Sequence, residues 1–198
     1  KAMTLIKDNI ATVELQILQA CNNVKRTRDE VSLLAVSKTK SKELVEQAYH
    51  AGQRAFGESY IQEAVEKITQ LANLTEINWH FIGPIQSNKT KQIAENFSWV
   101  HSVDRAKLIT RLNDHRSGQD TPLNVCLQVN ISGEESKSGI NPNELPQLAQ
   151  LVTSSENLIL RGLMAIPKKN DSRQSFAEMK ALFEQLSSEY ESVDTLSM

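Results

Sequence analysis

Short apolar runs of β type alternate with helical patterns along almost the whole chain, and this alternation limits the fold more than any other feature. The runs are 31–38 (VSLLAVSK), 54–58 (RAFGE), 78–83 (NWHFIG), 99–103 (WVHSV), 124–131 (NVCLQVNI), 158–166 (LILRGLMAI) and 194–198 (DTLSM). Ser41, Ser87 and Asp104 stand where the second, fourth and fifth helices need N-caps. Asn141-Pro142-Asn143-Glu144 supplies a cap, a proline at the first helical position and a glutamate three residues after the cap. Strands separated by helices of about ten to fifteen residues read as βαβ units with parallel pairing. One helix precedes the series. Ile6, Ile10, Val13, Ile17, Ala20 and Val24 form its apolar stripe, and Lys7, Asp8, Glu14 and Gln16 its wet face.

Seven such strands leave two α/β architectures, an open doubly wound sheet or a (β/α)8 barrel of the TIM type. An open dinucleotide-binding sheet needs a GxGxxG turn after its first strand, and that turn here reads SKTKSK. The strand ends favour the barrel. Lys38, Glu58, Gly83, Ser102, Asn130, Pro167 and Ser197 put polar, small or kinking residues where each strand opens onto the face that carries barrel active sites. The chain stops inside its seventh strand, so the last βα unit is expected to lie beyond Met198, in roughly 30 to 40 further residues. At 198 residues with no linker or charge block, the chain reads as one domain over 3–198. Lys1 and Ala2 ahead of Met3 read as a tag remnant. A net charge of −2 gives no reason to expect nucleic acid or an anionic membrane as partner, and no apolar run is long enough to span a bilayer. Cys21 and Cys126 show no metal-binding or CxxC spacing, which fits reduced, buried thiols in a cytoplasmic protein.

Lys38 raises the chemical question. An amine at a barrel strand's C-terminal end, set against a low-dielectric wall, is deprotonated more easily and becomes a nucleophile for an aldehyde or ketone. The alternative is a lysine that reaches to water with no chemical role. Lys40 and Lys42 read as solvated charges. The four histidines lack ligand-type spacing.

The segments LLAVSKTK, AGQRAFGESY, WHFIGPIQSNKTK, VNISGEESKSGI, LRGLMAIP and DTLSM closely resemble, in order, the pyridoxal phosphate homeostasis proteins. These are single-domain barrels similar to the N-terminal domain of alanine racemase (fold type III). The resemblance runs from about Met3 to Met198. It implies a barrel with an extra N-terminal helix, and Lys38 carrying pyridoxal 5′-phosphate (PLP) as an internal aldimine. It also implies cofactor contacts from His80, from Asn130 and from Met164 beneath the pyridine ring, with Ser197 opening a phosphate-binding loop. A hydrogen-bonded structural His80 and a core Met164 remain the alternatives. Where the family reads FGEN, this chain has Ser59, which keeps a hydroxyl but not the amide's reach. Gln86, Asn88 and Lys89 read as a solvated helix start, with the pocket mouth as the other possibility. Gly133, Gly139, Ser132, Ser136 and Ser138 make a loop on the Lys38 face, either a cofactor screen or a plain connection.

The resemblance implies a non-catalytic PLP carrier in intracellular PLP homeostasis, with apo PLP-dependent enzymes as candidate recipients; a monomer is the default, because no second apolar face stands out beyond the N-terminal helix. Racemisation needs a second acid/base opposite the lysine, and Tyr49, Tyr60 and Tyr190 fall in helix patterns. The rival readings are a PLP-dependent racemase-like enzyme or decarboxylase, a cofactor-free aldolase, and an interaction module with a vestigial pocket.

Overall fold

Parallel strands are covered on both faces, so they bury nearly continuous apolar runs. Leu123–Gln128 does this directly, with every residue but Asn124 buried. The computed structural model describes residues 5–133 and 138–198. They form two compact units, one ending at Asn78 and the other starting at Trp79. No helix among the described residues is long and apolar enough to cross a membrane.

The first unit holds α1 (Ile6–Asn23), β1 (Ala35–Val36), α2 (Lys42–His50), β2 (Ala55–Glu58) and α3 (Ile61–Gln70). β1 and β2 pair in parallel, Ala35 beside Phe56 and Val36 beside Gly57. The ladder runs one residue further, from the Ser37 amide to the Gly57 carbonyl at 2.9 Å. The strand expected over 31–38 is therefore much shorter. Upstream, the Leu33 carbonyl takes its hydrogen bond from the Gln53 side chain at 2.8 Å instead of from a strand. Ser41 caps α2 as expected, accepting from the Leu44 amide at 3.3 Å. The stripe of α1 differs from its expected course. Its inner face is Ile6, Ile10, Glu14, Ile17 and the buried Cys21, while Val13 and Ala20 are exposed and Val24 lies past the helix at 64 % exposure. Glu14 turns inward because the Arg28 guanidinium binds it.

The second unit holds β3 (Asn78–Phe81), α4 (Thr90–Asn96), β4 (Trp99–Val103), α5 (Ala106–Arg116), β5 (Leu123–Gln128), α6 (Leu145–Thr153), β6 (Leu158–Met164), α7 (Ser172–Glu189) and β7 (Thr195–Ser197). These strands pair in parallel in chain order. Ile93 and Ala94 of α4 and Leu108, Ile109 and Leu112 of α5 are fully buried, and the two helices pack against each other. Arg116 closes the packing. Its buried guanidinium donates to the carbonyl of Ala94 at 2.7 Å and to those of Phe97 and Thr121, acceptors the end of α4 and the next loop would otherwise leave unpaired.

Two expected caps are replaced. Ser87 begins a 3₁₀ turn rather than capping α4, and its carbonyl accepts from Thr90. Asp104 gives one oxygen to Arg105 and the other to the Gly139 amide, so its side chain is spent on a loop rather than on α5. The Asn141–Glu144 reading holds, with the Glu144 carboxylate accepting from the Asn141 amide at 2.9 Å. The expected tails of three strands, Ile82, Val129–Ile131 and Ala165–Ile166, lie past the ends of the named strands, though the Val129 amide still reaches the Met164 carbonyl at 2.8 Å and the Ala165 amide the Ser197 carbonyl at 3.0 Å.

Candidate functional site

In the first unit the chain leaves β1 through a sharp turn. The Lys40 amide donates back to the Ser37 carbonyl at 3.1 Å, and Thr39 sits at φ +64°, a conformation that β-branched residues rarely adopt. Lys38 lies on this turn and is exposed. The desolvated lysine expected there is thus corrected: the buried lysine of this unit is Lys67 on α3, 5 % exposed. Its ammonium donates at 2.8 Å to the Ser37 carbonyl, at 2.8 Å to Glu58 Oε2 and at 2.9 Å to Glu63 Oε2. Glu58, fully buried at the end of β2, also accepts from Ser37 Oγ at 2.5 Å. Its other oxygen, Oε1, is buried with no hydrogen-bond partner among the described residues. Ser59 follows, half-buried, just past β2. Lys38 therefore stands on a polar, fixed base. Ser37 before it is buried, while Lys38 and Thr39 are exposed.

In the second unit the strand tails line a cavity of about 250 Å³, with Ile82 and Pro84 after β3, Gln128 and Asn130 at the end of β5, Ile166 after β6, and Ser138. This is the C-terminal end of the strands, where the expected site residues belong. The Asn130 amide donates to the Ile140 carbonyl at 2.9 Å, while its side-chain oxygen accepts from Ser132 at 3.1 Å. Gly139 makes this approach feasible. A Cβ there would lie 2.6 Å from the Asn130 nitrogen, and the residue has φ +114°. Of the loop named above, Ser136 lies outside the described residues. Met164 is buried at the end of β6, between Gln128 of β5 and Ser197 of β7. Gln86 and Asn88 are exposed and Lys89 half-buried in the 3₁₀ turn.

His80 and Ser197 meet through a residue that the motifs did not flag. His101 Nε2 lies 2.8 Å from His80 Nδ1, and His101 Nδ1 lies 2.7 Å from Ser197 Oγ. The His80 ring stacks on Trp99 at 5.1 Å, and the Arg161 guanidinium lies 4.7 Å over Trp99. Burial, and for His80 also the neighbouring His101, push the pKa values down to about 3 for His80 and about 4 for His101. Both rings are neutral at neutral pH, one donating to the other. Among the described residues no group of three His, Cys, Asp or Glu side chains is placed to hold a metal. The signal that could have pointed to His101 was its alternation with Trp99 and Val103 on β4. For Lys67 and Glu63 it was their spacing of four on α3.

The comparisons with known proteins cover nearly the whole chain. The sequence pattern described as "Alanine racemase, N-terminal domain" matches residues 16–198. A pyridoxal phosphate homeostasis protein of Pseudomonas aeruginosa is 52 % identical, over 99 % of this chain and 85 % of the relative. That of Pasteurella multocida is 50 % identical, over 98 % of this chain and 86 % of the relative. Among solved structures, PipY of Synechococcus elongatus with PLP bound is 32 % identical with a TM-score of 0.80, covering 98 % of this chain and 88 % of that one. The alanine racemase of E. faecalis, 18 % identical with a TM-score of 0.66, is alike in fold over 93 % of this chain and 50 % of its own. These likenesses bear out the expected fold class, the parallel α/β barrel type of the alanine racemase N-terminal domain.

Proposed function

Since this chain belongs to the alanine racemase N-terminal-domain family and, within it, to the pyridoxal phosphate homeostasis proteins, we propose that it holds PLP on Lys38 as a reversible store and does not turn over amino acids. The observation that carries this is the exposed Lys38 amine on a turn fixed from below. Each unit by itself offers groups that suit the cofactor: the first a primary amine for its aldehyde, the second a cavity with Asn130, Gln128 and Ser138 among apolar residues for polar and ring atoms. When bound, PLP supplies an aldehyde that condenses with a primary amine, losing one water, and that water or a competing amine releases again.

Lys38 supplies the amine. Asn130 and Met164 are the residues we assign to orienting the ring, with Ser59, His80 and Ser197 as further contacts. Racemisation would require one group to remove a proton from carbon and another to return it on the opposite face. His80 and His101 are neutral and bonded to each other, which supports the carrier reading over the racemase-like one. The proposal includes release of PLP to apo-enzymes, supported by the homeostasis role printed for the relatives. It also includes a monomeric state and a cytoplasmic location, which sedimentation and cell fractionation test.

The test is covalent trapping. Protein incubated with PLP and reduced with borohydride should carry pyridoxyl mass on the peptide containing Lys38, and Lys38→Ala should carry none. Label on Lys40, Lys42 or Lys89 would overturn the assignment.

A further inference from the structure

The turn at Lys38 is held by side chains from another element. The residue before Lys38 is tied through its carbonyl to the Lys67 ammonium at 2.8 Å, and the residue after it through its amide to Glu63 Oε2 at 2.7 Å. Lys67 and Glu63 are themselves paired at 2.9 Å, and Lys67 is anchored below by the fully buried Glu58. All three ammonium donors of Lys67 are thus used.

Two features of this cluster are unfavourable for folding on their own. A buried ion pair rarely outperforms an apolar replacement of similar volume. A β-branched residue in the left-handed region costs on the order of 1–3 kcal/mol, and such strain persists only where the surroundings over-determine it. Thr39 at φ +64° is such a residue, beside the proposed attachment point. What the cluster supplies is a fixed direction for the chain on both sides of Lys38.

We propose that Lys67 and Glu63 are positioning residues for the Lys38 amine, clamping the Ser37–Thr39 turn in the conformation from which Lys38 meets the aldehyde. The clamp rests on the reading of Lys38 as the attachment point. A loosened turn would occupy the attaching conformation for only a fraction of the time, and apparent affinity falls by that fraction.

Glu63→Ala is the discriminating variant, because the Glu63 side chain is 33 % exposed in the first turn of α3 and its removal leaves Lys67 paired with Glu58. Glu63→Gln keeps a carbonyl oxygen able to accept from the Thr39 amide. Two quantities are read on the full chain: the PLP concentration giving half-maximal borohydride labelling of the Lys38 peptide, and amide exchange without PLP. For Glu63→Ala the half-labelling concentration should rise about tenfold, and the Thr39 amide should exchange faster while the rest of α3 keeps its protection. Glu63→Gln should recover most of both. A Glu63→Ala protein labelled at the parent's concentration would refute the clamp alone. So would a loss that Glu63→Gln fails to recover, with faster exchange throughout α3, since that is general damage. A parent protein that takes no label on Lys38 would refute the attachment reading, and the clamp with it.

Discussion

His101 is hydrogen-bonded at both ring nitrogens, to His80 and to Ser197, so a neutral ring must donate at one and accept at the other. Protonation would make it a donor at both, with His80 Nδ1 and Ser197 Oγ left to accept, and would place a charge in a buried site, which is what burial disfavours. With folded values of about 3 and about 4 against an ordinary value near 6.5, both histidines bind protons more readily in the unfolded chain. Their contribution to stability is fully present above about pH 6.5 and is lost as pH falls toward those folded values. By about pH 5 the loss should reach about 2 kcal/mol for each ring. Urea midpoints measured from about pH 7 to about pH 5 should fall steeply for the parent and roughly half as steeply for His80→Gln. Equal slopes would mean that other groups govern the acid sensitivity. At this scale the placement of Lys38, Asn130 and Ser197 at or just past strand ends was legible, because a strand's last residues can be read from its apolar run; Met164 came from the resemblance, and a part for any of them in holding a cofactor belongs to the proposal. The histidine pair was not, because the partners come from different strands, and neither was the burial of Lys67. That burial depends on Glu58 turning inward at the end of β2, which no local pattern records.

β6 has one residue more than β5 between matched pairs, Val125 facing Leu160 and Cys126 facing Gly162, and the extra residue is Arg161. The irregularity sends the Arg161 side chain to Asn124 at 3.0 Å and to Asp194 at 2.6 Å, and brings Gly162 hard against β7. A Cβ on Gly162 would lie 1.7 Å from the Thr195 carbonyl oxygen, which is backbone and cannot rotate away. Gly162→Ala should therefore destabilise by about 3 kcal/mol or more, read as a lower urea midpoint, through loss of β7 pairing. A change below about 0.5 kcal/mol would show that the strands separate freely there. Element order and type were readable from the alternation, and β4 matched its expected span to the residue. β3, β5 and β6 ended earlier than expected, while β2 closed at Glu58 as expected and β1 was cut short at both ends. Past the ends of those three strands, Ile82, Val129, Ile131 and Ile166 line the cavity, Val129 still donating its amide to the Met164 carbonyl at 2.8 Å. Hydrophobicity marks such residues as buried without saying whether a neighbouring strand or a pocket buries them.

At the scale of the molecule, the fold class and the family agree over almost the whole chain. The question that separates function within this fold is whether the bound aldehyde is only kept or is also used. Lys38 is an exposed amine whose neighbours are fixed by ion pairs, a suitable attachment point for an aldehyde. His80 and His101, near the strand ends, are neutral at neutral pH and hydrogen-bonded to each other. General acid–base assistance is worth roughly 10²–10⁴-fold, so the proposed carrier, working without a second acid/base, would racemise at no more than a trace. The most direct measurement is chiral analysis of L-alanine incubated with PLP-loaded protein. The carrier account predicts no D-alanine beyond a control with free PLP. Steady formation of many equivalents per protein, abolished by Lys38→Ala, would contradict it.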